Sequence, residues 1–112
     1  MTLAAFLEEL KGIDPDTADD IGDIVNVISI MSDGSFSSDA YYPDFIIQGC
    51  IQRACERRGD WEVSIWWKDN KWVTLIRLPG GYTDPHKVFA EESDSAAEAL
   101  LAAYIAAVRA SQ

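Results

Sequence analysis

Apolar residues recur at intervals of three and four over two stretches near the start of the chain, which predicts two amphipathic helices. The first covers residues 3–11 and is followed by Gly12. The second covers residues 15–31, with Asp14 as its N-cap and Pro15 at its first position. The apolar stripe of this second helix comprises Ala18, Ile21, Ile24, Val25, Ile28 and Met31.

A third helix is predicted over residues 43–58, between Pro43 and Gly59. Two cysteines, Cys50 and Cys55, lie five residues apart within it and so point to different faces, which disfavours a disulfide between them. We expect both to be small buried side chains in a reducing compartment. The buried stripe of this helix comprises Ile46, Ile47, Cys50, Ile51, Ala54 and Cys55.

Two segments rich in Trp, Val, Ile and Thr flank a short polar turn and predict a β-hairpin. They are residues 61–67 and 72–78. With Asp69–Asn70 as a two-residue turn, Glu62 lies directly opposite Arg77. These opposite charges support that register.

The predicted register assigns the tryptophans to two faces of the hairpin. Trp61, Trp67 and Trp72 share the face that we expect to pack on helices, whereas Trp66 lies on the other face beside apolar neighbours. We expect a second helical layer to bury Trp66. With helices on one side only, Trp66 would be exposed and would form an interaction surface with three tyrosines. These are Tyr41, Tyr42 and Tyr82.

The C-terminal part adds a Gly- and Pro-rich loop, a third strand over residues 87–91 and a helix over residues 95–110. Ser95 and Glu98 have the spacing of a capping box. We predict one α+β domain over residues 1–112: an antiparallel three-stranded sheet built on the hairpin and flanked by four helices. A two-layer arrangement and an α/β/α sandwich both fit this pattern.

Charge divides the chain into an acidic N-terminal part, residues 1–34, and a core, residues 35–112. The chain has 19 acidic and 9 basic residues and a net charge of −10, and the N-terminal part holds eight acids and one base. This balance disfavours direct binding to nucleic acid or to anionic membranes. The carboxylates are either solvated surface or a surface for a basic protein partner. The candidate partner-binding residues are Asp16, Asp19, Asp20 and Asp23.

Catalytic and metal-binding patterns find no match. The only histidine, His86, lies in the Gly- and Pro-rich loop. A calcium loop starting at Asp14 would need an acid where Ala18 stands and a glutamate where Val25 stands. We therefore predict a non-enzyme without cofactor or metal. The acidic start of the chain and the lack of a long apolar run predict a cytoplasmic protein.

Residues 35–110 resemble the phage ABA sandwich domain, a small phage-encoded domain of uncharacterised function. The resemblance lies in four segments: Ser35–Asp39, Trp61–Val63, Trp72–Val73 and the alanine-rich residues 90–103. It implies a phage or prophage origin, and hence a bacterial host cytoplasm, with helices on both sides of a sheet. It supplies no catalytic residue.

The function that we predict from these features is a non-catalytic acidic protein-interaction module. It would inhibit a host nucleic-acid-binding or defence protein, as an anti-CRISPR protein does, by nucleic-acid mimicry. One alternative is a small-molecule or nucleotide binder that uses the loop Gly80–Tyr82 with Trp66 and His86. The other is a structural protein that self-associates through Trp66, Val73 and Leu75.

Overall fold

The computed structural model describes residues 3–31 and 41–112; within the helices, only the backbone is described for residues 24–31 and 41–45. The described elements confirm the α+β class. They are, in chain order, α1 (Leu3–Ile13), α2 (Pro15–Met31), α3 (Tyr41–Arg57), β1 (Glu62–Lys68), β2 (Lys71–Arg77), a 3-10 turn (Pro85–Lys87), β3 (Val88–Ser93) and α4 (Ala96–Ser111).

Two helix boundaries differ from the predictions for reasons of backbone chemistry. Helix α1 continues through Gly12 to Ile13, and the break comes at Asp14, whose N–H donates to the Leu10 carbonyl. A residue before proline disfavours the helical conformation, so Pro15 ends the helix more effectively than Gly12. Helix α3 begins before Pro43, which its first turn tolerates because the N–H groups there lack intrahelical partners.

The hairpin has the predicted register. Glu62 pairs with Arg77 and Trp67 with Trp72. The turn residues Asp69 and Asn70 have φ values of 52° and 61°, as a type I′ turn requires. Strand β3 pairs antiparallel with β2, so β2 is the central strand of the sheet and β1 and β3 are its edges.

Helix α4 lies at the centre of the molecule. Ten of its 16 residues are buried, because it packs on β2 and β3 on one side and on α1 and α3 elsewhere. Alanines at positions such as Ala99, Ala103 and Ala107 let these neighbours approach closely. Ser95 caps the helix by accepting from the Glu98 N–H, and the Glu98 carboxylate accepts from the Ser93 hydroxyl. The Glu98 side chain of the predicted capping box thus bonds to a second serine, Ser93.

The described helices form one group on a single side of the sheet. Helix α4 covers β2 and β3, α3 touches β1, and α2 packs on α1 and α3. On the other face, Trp66 is 40% exposed. The expectation that a second helical layer buries Trp66 is therefore wrong, and the two-layer arrangement describes this part of the chain. We call this uncovered side the open face; its strand positions are Glu62, Ser64, Trp66, Lys68, Lys71, Val73, Leu75, Arg77, Val88, Ala90 and Glu92.

Among the described side chains, the predicted core is confirmed except at the sheet edge; the predicted α2 positions Ile24, Val25, Ile28 and Met31 lie outside those side chains. Trp61 is buried and Trp72 half-buried, but Trp67, expected in the core, is 54% exposed. Helix α4 lies on β2 and β3, so the edge strand β1 has little helical cover on the side where Trp67 lies. The predicted stripe of α3 is buried in full: Ile46, Ile47, Cys50, Ile51, Ala54 and Cys55.

Candidate functional site

The four predicted partner-binding aspartates of α2 divide into two pairs. Asp16 and Asp20 lie on the side of α3, where Asp20 forms an ion pair with Arg57 at 3.4 Å and Asp16 lines a cavity with the same arginine. Asp19 and Asp23 are exposed on the side of α1. A spacing of four residues explains each pair, since residues i and i+4 share one helix face. Asp19 and Asp23 form no ion pair among the described residues.

A groove of about 420 Å³ separates α1 from α2 beside this second pair. Leu7, Ala18 and Ile21 give it an apolar floor, and Lys11 is its one basic lining residue. Three carboxylates form its rim: Glu8, Asp19 and Asp23. We call this feature the acidic groove. An apolar floor with an anionic rim suits a side chain that has an apolar body and a cationic end.

A second cluster lies at the junction of α1 and α2, around the carboxylate of Asp14, the predicted N-cap of α2. Asp14 Oδ2 accepts hydrogen bonds from the Tyr104 hydroxyl at 2.5 Å and from the Thr17 hydroxyl at 2.6 Å. Arg58 Nε donates to the Tyr104 oxygen at 3.0 Å. Tyr104 and Thr17 are almost fully buried, so these bonds satisfy groups that water cannot reach.

The cluster shifts the pKa values of its members in directions that follow from their contacts. Burial alone would raise the pKa of Asp14, but the hydrogen bonds from Thr17 and Tyr104 and the charge of Arg58 outweigh it, so this pKa lies below its usual value. Burial, together with the bond to Asp14, raises the pKa of Tyr104 to about 12. Asp14 is therefore an anion and Tyr104 a neutral donor at neutral pH.

A cavity of about 150 Å³ adjoins this cluster and is lined by Asp14, Asp16, Arg57 and Arg58 among others. Both of these arginines form ion pairs: Arg58 Nη2 lies 3.5 Å from Asp14 Oδ2, and Arg57 pairs with Asp20, which lies outside the cavity lining. The guanidinium of Arg58 also lies over the Trp61 ring, 5.4 Å from its centroid. We interpret this region as a structural junction between α2, α3 and α4.

On the open face, Trp66 and Tyr82 are both exposed aromatic side chains, as expected for a sheet with helices on one side only. Tyr82 is held at one end of the face, where its hydroxyl donates to Glu62 Oε2 at 2.8 Å and its ring lies 4.2 Å from the Arg77 guanidinium. The hydrogen bonds from Tyr82 and Arg77 hold the pKa of Glu62 below its usual value. The other two predicted tyrosines, Tyr41 and Tyr42, have side chains outside the described ones.

The far end of the hairpin, residues 66–72, exposes tryptophan on both of its faces, and we call it the hairpin tip. Trp66 lies on the open face, and Trp67 lies on the opposite face, where its ring meets that of Trp72 at a centroid distance of 5.3 Å. Lys68 and Lys71 are exposed next to these rings. Sequence reasoning found Trp66 but assigned Trp67 to the core, and so missed this second exposed ring.

The loop Gly80–Tyr82, proposed as a ligand loop, packs against its own flanking residues. A Cβ added to Gly81 would lie 2.4 Å from Cγ of Arg77, and Gly80 has a φ of 89° beside the Lys87 side chain. The glycines thus have a steric and conformational reason to be there. The acidic groove and the cavity beside Asp14 include no residue of this loop.

The two thiols and the histidine are not among the lining residues of the acidic groove or of the cavity beside Asp14. Cys50 and Cys55 are buried free thiols, and burial raises the pKa of Cys55 to about 12. His86 is exposed, and its backbone N–H donates to the Asp84 carboxylate at the start of the 3-10 turn. Among the described side chains, no three of His, Cys, Asp or Glu are placed to hold a metal ion. None of the helices described above has the length and apolarity of a membrane span.

Comparisons with known proteins give no relative for this chain: no protein-family model, curated protein or solved structure matches it. The acidic groove, the open face and the hairpin tip are therefore interpreted from their own chemistry.

Proposed function

We propose that this chain is a non-catalytic protein-interaction module, of phage or mobile-element origin, that binds a basic protein through the acidic groove. Its partner would be a nucleic-acid-binding or defence protein of the bacterial host, and binding would inhibit that partner by occupying the surface meant for nucleic acid. The proposed origin depends on the resemblance of residues 35–110 to the phage ABA sandwich domain.

The observation that carries this proposal is the pairing of an apolar floor with an anionic rim in one groove. Asp19 and Asp23 are exposed and form no ion pair among the described residues, although Lys11 lines the same groove, and Glu8 faces them from α1. The excess of ten negative charges on the chain would attract a cationic partner over a distance of about one Debye length. The apolar floor then provides contact area that long-range attraction alone does not.

The spacing of the rim carboxylates supports mimicry of a phosphate row. Four residues of α-helix separate Asp19 from Asp23, which corresponds to a rise of about 6 Å. Successive phosphates of one DNA strand rise by about 3.4 Å along the axis and are also displaced sideways by the helical turn, so their separation through space exceeds that rise. The two carboxylates therefore have a spacing of the same order as that of neighbouring phosphates on one strand.

A charge-reversal variant tests the proposal. Asp19→Lys with Asp23→Lys is expected to abolish capture of the partner from a bacterial lysate, because it inverts the rim. Glu91→Lys with Glu92→Lys is the matched control: it makes the same change in net charge on the exposed strand β3. Capture by the wild type and by the control should be lost at high salt.

Two results would contradict the proposal. One is equal capture by the wild type and by the Asp19→Lys, Asp23→Lys variant, with both folded by circular dichroism. The other concerns mimicry: the purified partner should bind single-stranded DNA less tightly as this protein is added. Undiminished DNA binding at saturation would exclude inhibition by mimicry while leaving the interaction itself in place.

A further inference from the structure

We propose that, when no partner is bound, the acidic groove of one molecule receives the hairpin tip of a second copy. The inference builds on the proposed function, because it assigns a competing occupant to the same groove. It follows from the complementarity of two surfaces that lie on different elements of the chain, the helix pair α1–α2 and the hairpin β1–β2.

The hairpin tip has exposed aromatic rings and positive charges, which complement the apolar floor and the anionic rim of the acidic groove. Trp67 is 54% exposed although it lies on the helix-facing side of the sheet, and Trp66 is 40% exposed on the other side. Large aromatic side chains left in water on both faces of one hairpin favour burial against a partner. Lys68 and Lys71 are exposed between and beside these rings and bring two positive charges to the same end.

The acidic groove has an apolar surface for a ring and carboxylates for the lysines of the hairpin tip. Its apolar floor would cover one tryptophan ring, and its volume of about 420 Å³ lies within the usual range for ligand pockets. The rim carboxylates Asp19 and Asp23 would pair with Lys68 and Lys71. These lysines have no ion pair among the described residues. Opposite charges around an apolar contact provide both attraction and register.

The geometry of this contact determines the kind of assembly. The tip and the groove are different surfaces, so the contact is heterologous and leaves an unused groove on one molecule and an unused tip on the other. Association would proceed head to tail and would pass beyond the dimer. The tip comprises the seven residues 66–72, against about 20–30 residues per partner in a standard interface, so the contact would be weak and dependent on concentration.

Self-association of this kind would regulate the groove. A molecule whose groove holds the tip of another copy cannot bind a basic partner, so dilution would release binding-competent monomers. A tighter partner would dissociate the assemblies by mass action.

Charge-swapped variants provide the test, measured by sedimentation velocity over a concentration series reaching the high micromolar range. A tip variant carries Lys68→Glu with Lys71→Glu, and a groove variant carries Asp19→Lys with Asp23→Lys. Each alone is expected to be monomeric, because tip and groove then have the same sign of charge. An equimolar mixture of the two is expected to associate again, because each tip then meets a groove of opposite charge.

Matched controls separate local pairing from net charge. Arg53→Glu with Lys87→Glu changes the net charge as the tip variant does, and Glu91→Lys with Glu92→Lys changes it as the groove variant does; these residues are exposed and lie outside both surfaces. Both controls should associate like the wild type. A wild type that stays monomeric throughout the series, one that saturates at a closed dimer, or a mixture that fails to associate would each overturn the proposal.

The outcome is distinguishable from a failure of the proposed function. The tip variant keeps its acidic groove, so it should still capture a basic partner at wild-type level or better. Loss of self-association with intact capture separates the two uses of the groove. Self-association without capture of any basic protein would support the head-to-tail contact and contradict the proposed function.

Discussion

Two clusters in this molecule are built from the same three groups: a tyrosine hydroxyl that donates to a carboxylate, and an arginine that contacts both. They are Tyr104–Asp14–Arg58 and Tyr82–Glu62–Arg77. Tyr104 is fully buried, whereas Tyr82 is 74% exposed. The chemistry is shared, so the difference between the clusters isolates the effect of water.

Burial also changes what each cluster connects. The buried cluster joins residues 90 positions apart, at the junction of α1 and α2 and in α4. The exposed cluster joins a strand to the loop that follows its neighbour, 20 positions away. In the first, the hydroxyls of Tyr104 and Thr17 are cut off from water if they lose their acceptor, whereas in the second, water replaces the lost partner. We therefore expect the buried cluster to hold the fold together and the exposed one to shape a surface.

Truncation of the two tyrosines should give the largest contrast. Tyr104→Ala is expected to lower the free energy of unfolding by about 3–5 kcal/mol, because it leaves a cavity and removes the hydrogen-bond donor to Asp14. Tyr82→Ala should change it by about 0.5 kcal/mol or less, as most surface substitutions do. Urea unfolding of both variants measures the difference, and similar losses in the two would remove the distinction.

Substitution of the carboxylate should also lower the free energy of unfolding more in the buried cluster than in the exposed one, but the difference should be smaller than for the tyrosines. Asp14→Asn is expected to cost about 1–3 kcal/mol, because it weakens acceptance from two hydroxyls and leaves Arg58 without its anion. Glu62→Gln should leave the unfolding midpoint unchanged within error, since its partners can turn to water. A Tm for Asp14→Asn equal to that of the wild type would show that the buried cluster contributes no net stability.

Low pH should remove the contribution of Asp14 to the free energy of unfolding. The pKa of Asp14 is lowered in the folded state, so the unfolded state takes up a proton first as the pH falls. The stabilisation is fully present above the unfolded pKa of about 3.9 and is lost as pH falls through the folded pKa below it. The stability difference between wild type and Asp14→Asn should therefore shrink in that window, and a difference independent of pH down to acid unfolding would contradict it.

The smallest effect is expected for the ion pair of the exposed cluster. Arg77 Nη1 lies 3.0 Å from Glu62 Oε2, but half of the Glu62 side chain is exposed. A double-mutant cycle with Arg77→Gln and Glu62→Gln should give no measurable coupling energy, because solvent screens exposed pairs. A clear coupling would show that Tyr82 shields the pair and would bring the two clusters closer in kind.

Local patterns in the sequence predicted much of the fold. The charge pair Glu62–Arg77 and the short turn specified the hairpin register, and helical spacing identified the buried stripe of α3. Both depend on residues close together in the chain, whose geometry is known once the element type is known.

What the sequence could not specify is which surfaces the elements cover. Alternation placed Trp66 and Trp67 on opposite faces, but it does not show that the described helices lie on one side or that β1 extends beyond their cover. The Asp14–Tyr104 contact was also missed. A signal for it exists, because the hydroxyl of a buried tyrosine in an otherwise apolar helix needs a partner, but nothing in the sequence names a residue 90 positions away.

The central position of α4 also has a consequence for the order in which the molecule can fold during synthesis. Helices α1 and α3 and strands β2 and β3 all pack on α4 and all precede it in the chain. The hairpin can form as soon as its residues leave the ribosome, but the described helices and the sheet share little packing, apart from the contact of α3 with β1, until α4 follows. We expect nascent chains that stop before residue 96 to stay sensitive to protease, and protection to arise late and at once.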